Sequence, residues 1–158
     1  MKSRTLSKKD RKEINTAVQK MYDVTIIEDS SIVRLVESEE GDIITCEGEA
    51  TFLIRGNKYI PVLPYLLRNT VFTKKITIDM GGVKPISGGA DVMVPGIVSC
   101  DDVKKGDIVS VVDEKHGKPL SVVKVVMDKE DIATAKNGVA AECLHHIGDD
   151  VWSITKTL

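Results

Sequence analysis

The chain has 158 residues, a composition that is 42% hydrophobic and 29% charged, and a net charge of -2, which together describe an ordinary globular protein. No apolar run approaches the roughly 20 residues needed to cross a bilayer, and the basic opening "MKSRTLSKKDRKE" has no apolar segment behind it, so neither a membrane span nor a secretory signal is expected. Cys46, Cys100 and Cys143 lie far apart with no CxxC pair, which argues against a disulfide framework or a zinc ribbon and fits a reducing, cytoplasmic setting.

The first predicted element is a helix capped by Ser7, with Ile14, Val18 and Met21 forming one apolar stripe and the basic residues mostly off it. From Asp23 the pattern changes to short β-like runs: "VTIIED", "SIVRLVES", "DIITCEGEA" and "TFLIRGNKYIPV". Glu40-Gly41, Glu47-Gly48 and Gly56-Asn57 punctuate them as turns. "LPYLLRN" reads as a short helix with Pro64 in its first turn. "KKITIDM" then alternates as a strand and is broken by Gly81-Gly82.

Next, "VKPI" reads as a short strand leading to Ser87, a natural N-cap, so "GGADVM" is expected to open a helix of one to two turns. Bare backbone N–H groups at Gly88, Gly89 and Ala90 would then face outwards, positioned to receive phosphate. Pro95-Gly96 would end that helix and redirect the chain. "GDIVSVVDEKHGKPLSVVKVVM" is the clearest β-hairpin, with His116 exposed in its turn. "DKEDIATAKNG" carries a full set of helix signals, namely Asp128 as cap, Glu130 and Asp131 in the first turn, Lys136 in the last, and Asn137-Gly138 as the stop. A final strand pair, "VAAECLHHIG" and "DDVWSITKT", would close the chain. Strands and helices do not alternate regularly, so the fold class is α+β with a mostly β second half, and the segment "RNTVFTKK" marks a boundary near residue 70.

Charge segregates along the chain. Residues 1–20 hold seven bases and two acids, residues 23–50 hold nine acids and only Arg34, and residues 51–90 hold six bases against Asp79. Such blocks either keep a small protein soluble or supply the basic surface that nucleic acid requires. Tests for catalysis return little. Two glycines are nowhere separated by a single residue, which excludes GxGxxG, and Gly-Lys-Ser/Thr is absent. The histidines and acids of "CLHHIGDD" alternate between strand faces and lack a second ligand pair, so no metal site is expected. Neither Ser110 nor Ser121 has an elbow context. No enzyme and no cofactor are expected.

The run Gly88-Gly89-Ala90-Asp91-Val92-Met93, with Pro95-Gly96-Ile97 and then Gly106-Asp107 before "IVSVVDE", resembles the signature of the PUA domain, a small RNA-binding β-barrel. That similarity spans about residues 73–156. "GNKYIPVLPYLLRNTVF" ahead of it, with the Tyr59-Pro61-Leu63 spacing and the terminal "HHIGDDVW", resembles the malignant T-cell-amplified family of translation-associated proteins and their archaeal relatives. The resemblance implies a small N-terminal α/β domain over 1–71 and a PUA-like β-barrel with short helices over 72–158. It also implies noncatalytic binding of structured RNA, tRNA or rRNA, with the ribosomal small subunit or a translation-factor protein as further partners. Carried onto this chain, the RNA-contacting positions are Ser87, Gly88, Gly89, Ala90 and Met93, with Pro95 and Gly96 shaping the turn. Lys74, Lys75 and Lys84 join them on charge and nearness in sequence, and Arg68 more distantly. Asp91 stands apart, because a carboxylate beside incoming phosphates is repulsive. Two further readings remain open, an accessory subunit that delivers RNA to a modification enzyme, and a protein-interaction adaptor working through the acidic 23–50 region.

Overall fold

A computed structural model describes residues 1–69 and 72–158. The boundary expected between residues 71 and 72 falls at Thr70 and Val71, outside the described residues. The N-terminal half is an antiparallel sheet in the order β1-β2-β3-β4-β5, formed by Ser3–Thr5, Val33–Val36, Asp42–Cys46, Glu49–Arg55 and Lys58–Pro61. Helix α1 (Lys8–Tyr22) buries Ile14 and Val18. Its start is fixed reciprocally, since Ser7 Oγ accepts from the Asp10 N–H and the Asp10 carboxylate accepts from the Ser7 N–H.

"VTIIED" is not a strand, contrary to its apolar content. The side-chain amide of Asn15 donates to the Ile27 carbonyl at 2.8 Å and accepts from the Ile27 N–H at 3.3 Å. A helix side chain therefore takes the place of a neighbouring strand at Ile27, which is buried without joining a ladder. Helix α2 (Leu63–Arg68) follows β5 as expected and buries Leu63 and Leu66.

The second half is a six-stranded, nearly closed barrel in the order β7-β11-β10-β9-β6-β8. Its strands are β6 (Lys75–Ile78), β7 (Val92–Met93), β8 (Ile97–Cys100), β9 (Ile108–Asp113), β10 (Pro119–Val125) and β11 (Val139–His146). Only β6 and β9 run parallel, joined by the long crossover that contains the glycine-rich corner. Helices α3 (Val83–Ser87), α4 (Lys129–Thr134) and α5 (Asp150–Lys156) complete the half.

Strand β9 is buried along its whole length, because its two faces serve different cores. Val109 and Val111 pack inside the barrel with Ile76, Ile78, Val123 and Val125. Ile108 and Val122 face the other way and join Phe52, Leu53, Leu63 and Leu66 of the N-terminal half. Burial on both sides explains the unbroken apolar runs of the hairpin. Asp113 fixes its turn by accepting from the N–H groups of Lys115, His116 and Lys118, and His116 is exposed there.

Two helix details differ from expectation. Asp128 occupies the N-cap position of α4, but its carboxylate accepts from the Lys105 N–H rather than capping, and α4 stops at Thr134, short of Lys136. "DDVWSITKT" is helix α5 and not a closing strand. Asp149 caps it by accepting from the Trp152 N–H at 2.8 Å, and Val151 and Thr155 are buried one turn apart, a helical spacing that overrides the β-rich composition.

Candidate nucleic-acid interface

The glycine-rich corner is built the other way round from its sequence expectation. "VKPIS" is helix α3, not a strand, and Ser87 ends that helix instead of capping the next. The helical path begins earlier, where Asp79 caps the turn Met80–Gly82 by accepting from the Gly82 N–H at 3.0 Å. Pro85 is tolerated because it lies within the first turn of α3. The N–H of Gly88 donates to the carbonyls of Lys84 and Pro85, that of Gly89 to Ile86, and that of Ala90 to Pro85, all at 3.0–3.1 Å. These three donors are therefore consumed within the turn and do not point outwards to an anion. Ser87 Oγ donates to the Val83 carbonyl at 2.7 Å. Residues 88–91 are irregular, Val92–Met93 is strand β7, and Val94–Gly96 forms a short turn with Pro95 exposed. Pro95-Gly96 does redirect the chain as expected, but with no helix to terminate.

The corner is held from outside by β11. Gly89 has φ +100°, and a Cβ placed on it would lie 2.8 Å from the ring of His146. The Nδ1–H of His146 is shared between the carbonyls of Ser87 at 3.1 Å and Ile147 at 2.9 Å. Asp91, expected to repel phosphate, accepts instead from the Cys143 N–H at 2.8 Å and ties the loop to the strand. Beside this frame lies an apolar groove of about 220 Å³, lined by Ile78, Pro85, Ile86, Ala90, Val92 and Met93 among others. Met93 is 47% exposed at its edge, and Lys84 projects from α3 one residue before Pro85.

The three lysines assigned on charge do not form one patch. Lys84 is exposed on α3, the helix whose Pro85 and Ile86 line the groove, whereas Lys74 and Lys75 sit at the opposite end of β6. There Lys74 Nζ donates to the Asp102 carbonyl at 2.7 Å and lies 4.0 Å from the Asp107 carboxylate, and the Lys75 N–H donates to Asp101. Arg68 pairs with Glu49 at 3.3 Å.

The two adjacent histidines, read from the sequence only as unsuited to hold a metal, turn out to be structural. His145 is fully buried, and its Nε2 accepts from the Leu63 N–H at 3.0 Å, across the two halves of the chain. Its Nδ1–H donates to the Asp149 carboxylate at 2.9 Å. Both ring nitrogens are thus committed. Burial works to raise the Asp149 carboxyl, but hydrogen bonds from His145 and from the N–H groups of Trp152 and His146 outweigh it and hold the group at about 2. The available signal was strand alternation, which sends neighbouring histidines to opposite faces.

Comparison with known proteins agrees with this geometry. Residues 74–147 match the PUA domain, and residues 4–69 match a domain of unknown function, DUF1947. An uncharacterized protein of Methanocaldococcus jannaschii is 34% identical over 151 residues, covering 94% of this chain and 93% of its own. Translation machinery-associated protein 20 of Saccharomyces cerevisiae is 25% identical over 138 residues, covering 82% and 76%. The crystal structure of a hypothetical protein from Pyrococcus horikoshii OT3 superposes with a TM-score of 0.87 at 30% identity, covering 98% of this chain and 99% of that one. The fold is that of a PUA protein with a DUF1947 region ahead of it. Within that class the chain shares a family with the Methanocaldococcus jannaschii protein and is homologous to the malignant T-cell-amplified and translation machinery-associated proteins.

Proposed function

We propose that the protein is a noncatalytic RNA-binding factor of translation, acting in the cytoplasm on structured RNA, tRNA or rRNA, with the small ribosomal subunit as its wider partner. One observation carries the reading: in a PUA barrel, an apolar groove lined by Ile86, Ala90 and Met93 lies beside α3, which carries the exposed Lys84 and runs into the side-chain-poor turn at Gly88 and Gly89. RNA is read sequence-specifically where bases are unstacked, at loops and strand ends, and an apolar slot of this size suits the flat face of one such base. Met93 would pack on that base, the low bulk of Ser87 to Ala90 would leave room for its sugar, and Pro95-Gly96 would shape the far wall.

The reversed helix changes where phosphate belongs. The C-terminal end of α3 carries partial negative charge, so phosphates are disfavoured over residues 87–90 and favoured beside Lys84. Lys74 and Lys75 would make a separate contact at the far end of β6, weakened by Asp101, Asp102 and Asp107. The N-terminal unit, 1–71, and the PUA unit, 72–158, would act together on one RNA.

Fluorescence anisotropy with tRNA, intact or trimmed of its single-stranded 3′ end, tests this. Lys84→Gln and Met93→Glu are each expected to weaken binding of intact tRNA by at least about tenfold, of the order of one lost base or phosphate contact. Trimming the 3′ end should erase the effect of Met93→Glu. Unchanged affinity in both variants would overturn the assignment.

A further inference from the structure

The outward face of α1 is unusual for a solvated helix. Lys8, Lys9, Lys12 and Lys20 share it with Thr16, Ala17 and a single acid, Glu13. From Lys8 to Lys20 it runs about 18 Å along the helix axis. Among the described residues, none of the four lysines stands in an ion pair. The other charged groups of the helix are turned elsewhere. Asp10 faces Ser7 and Arg4, and Arg11 donates to the carbonyls of Leu6 and Asp29.

This arrangement works against the helix that carries it. Lys8 and Lys9 are its first two residues, where the macrodipole disfavours cations. Lys8 and Lys12 are like charges one turn apart, which is also unfavourable. The capping box at Ser7 and Asp10 offsets these effects without removing them. Lys8, Lys9 and Lys12, placed where they weaken their own helix, point to a polyanion as the missing partner, and Lys20, in the last turn where a cation is favoured, extends the strip. At its far end the strip reaches a cleft of about 350 Å³ lined by Lys20 and by Lys74 of the barrel half, with Asp23 and Asp107 also on its wall.

We infer that the outward face of α1 is a second RNA-docking surface, holding the phosphodiester backbone of double-stranded RNA through Lys8, Lys9, Lys12 and Lys20. The inference rests on the RNA-binding reading above and adds a duplex contact to its groove. Small residues in the middle of the strip, Thr16 and Ala17, leave room for a backbone to lie flat. Ammonium groups are point charges suited to phosphates and carry no sequence readout. The apolar side of α1 is spent on the core at Ile14 and Val18, so the helix has none to insert into a membrane, and the face has no large apolar anchor of the kind a docked peptide uses.

The test uses the full chain and two fluorescein-labelled probes, a blunt RNA duplex and the same duplex with a single-stranded 3′ tail, titrated between about 50 and 200 mM salt. Exchanging all four lysines for Gln should cut blunt-duplex affinity at least about tenfold and lower the log–log salt slope by about 3, roughly 0.7–0.9 per contact. The Arg quadruple variant should retain binding. Thermal stability of the Gln variant should hold or rise, which separates lost docking from lost folding. Lys84→Gln should weaken the tailed probe and leave the blunt one unchanged.

Unchanged blunt-duplex affinity and slope in the Gln variant would overturn the inference while leaving the groove reading intact. Failure of the unmodified protein to bind either probe would instead remove the RNA-binding reading itself. Binding to phosphatidylserine vesicles or polyglutamate as tight as to the duplex, and lost in the Gln variant, would assign the face to that partner and overturn the RNA assignment.

Discussion

Gly88 and Gly89 are adjacent and chemically identical, yet they should respond very differently to alanine. At Gly88 φ is -90° and a new Cβ would sit 3.3 Å from the Lys84 carbonyl, a contact that a small shift relieves. The expected change is within about 1 kcal/mol in either direction. At Gly89 φ is +100°, and the Cβ would lie 2.8 Å from His146 Cδ2 and Nε2. Holding a residue with a Cβ at positive φ costs about 1–2 kcal/mol. Moving the ring breaks the Nδ1–H contact to Ser87, worth about 1 kcal/mol more. A total of about 2–3 kcal/mol translates into a melting point lowered by about 4–12 °C for a chain of this size. Urea denaturation followed by the fluorescence of Trp152, the single tryptophan, measures it directly. Made in a His146→Ala background, where the ring and its contact to Ser87 are already gone, Gly89→Ala should cost only the backbone part. Equal losses for the two alanines, or the same Gly89→Ala loss with and without His146, would refute the account of the corner.

Asp149 should give the protein a distinct acid limb. Its carboxyl lies at about 2 in the folded chain against an ordinary 3.8, so its stabilisation is complete above pH 4 and is lost as pH falls through 2. The magnitude is about 2 kcal/mol, and denaturation midpoints taken from pH 5 to pH 2 should show that limb in the unmodified protein and not in Asp149→Asn. Ser121 presents a buried hydroxyl with no hydrogen-bond partner among the described residues. Ser121→Ala should therefore leave stability unchanged or raise it by up to about 1 kcal/mol, read from the same urea curves, and a clear loss would show that the hydroxyl is satisfied.

Much of the fold could be read from local pattern because local physics decides it. Ser7, Ile14 and Val18 mark α1; the apolar runs of β2 to β5 and of the β9–β10 hairpin form the strands expected of them. The misreadings fall where a distant residue or a competing cap decides. Ile27 is kept out of a ladder by Asn15, twelve residues away. "VKPIS" is helical because Asp79 starts the turn upstream, and the same cap-and-stop logic that located α4 would have placed Gly88-Gly89 as the end of a helix. "DDVWSITKT" contains alternating apolar residues, but Asp149 caps it and the one-turn spacing of Val151 and Thr155 wins. At the site, the grouping of Lys74, Lys75 and Lys84 used nearness in sequence, and β6 separates what the sequence places close together. The groove could not have been inferred, since Ile78, Pro85 and Met93 meet only through the barrel.

The paired histidines show how the two halves and the glycine corner are tied together. Strand alternation was used to dismiss His145 and His146 as joint metal ligands, and the same alternation gives each its role. His145 turns to the N-terminal half and accepts from Leu63 at the start of α2, while His146 turns to the corner and meets Ser87 and Gly89. Asp149 holds both, accepting from the His145 ring, from the backbone N–H of His146 and from the first turn of α5. One strand end therefore sets the seating of the N-terminal half and the shape of the groove together. The proposed grip on one RNA, by the groove in the barrel and by the lysine face of α1, would need those two surfaces at a fixed separation. A buried, fully hydrogen-bonded His–Asp junction supplies that rigidity where an apolar contact would permit sliding.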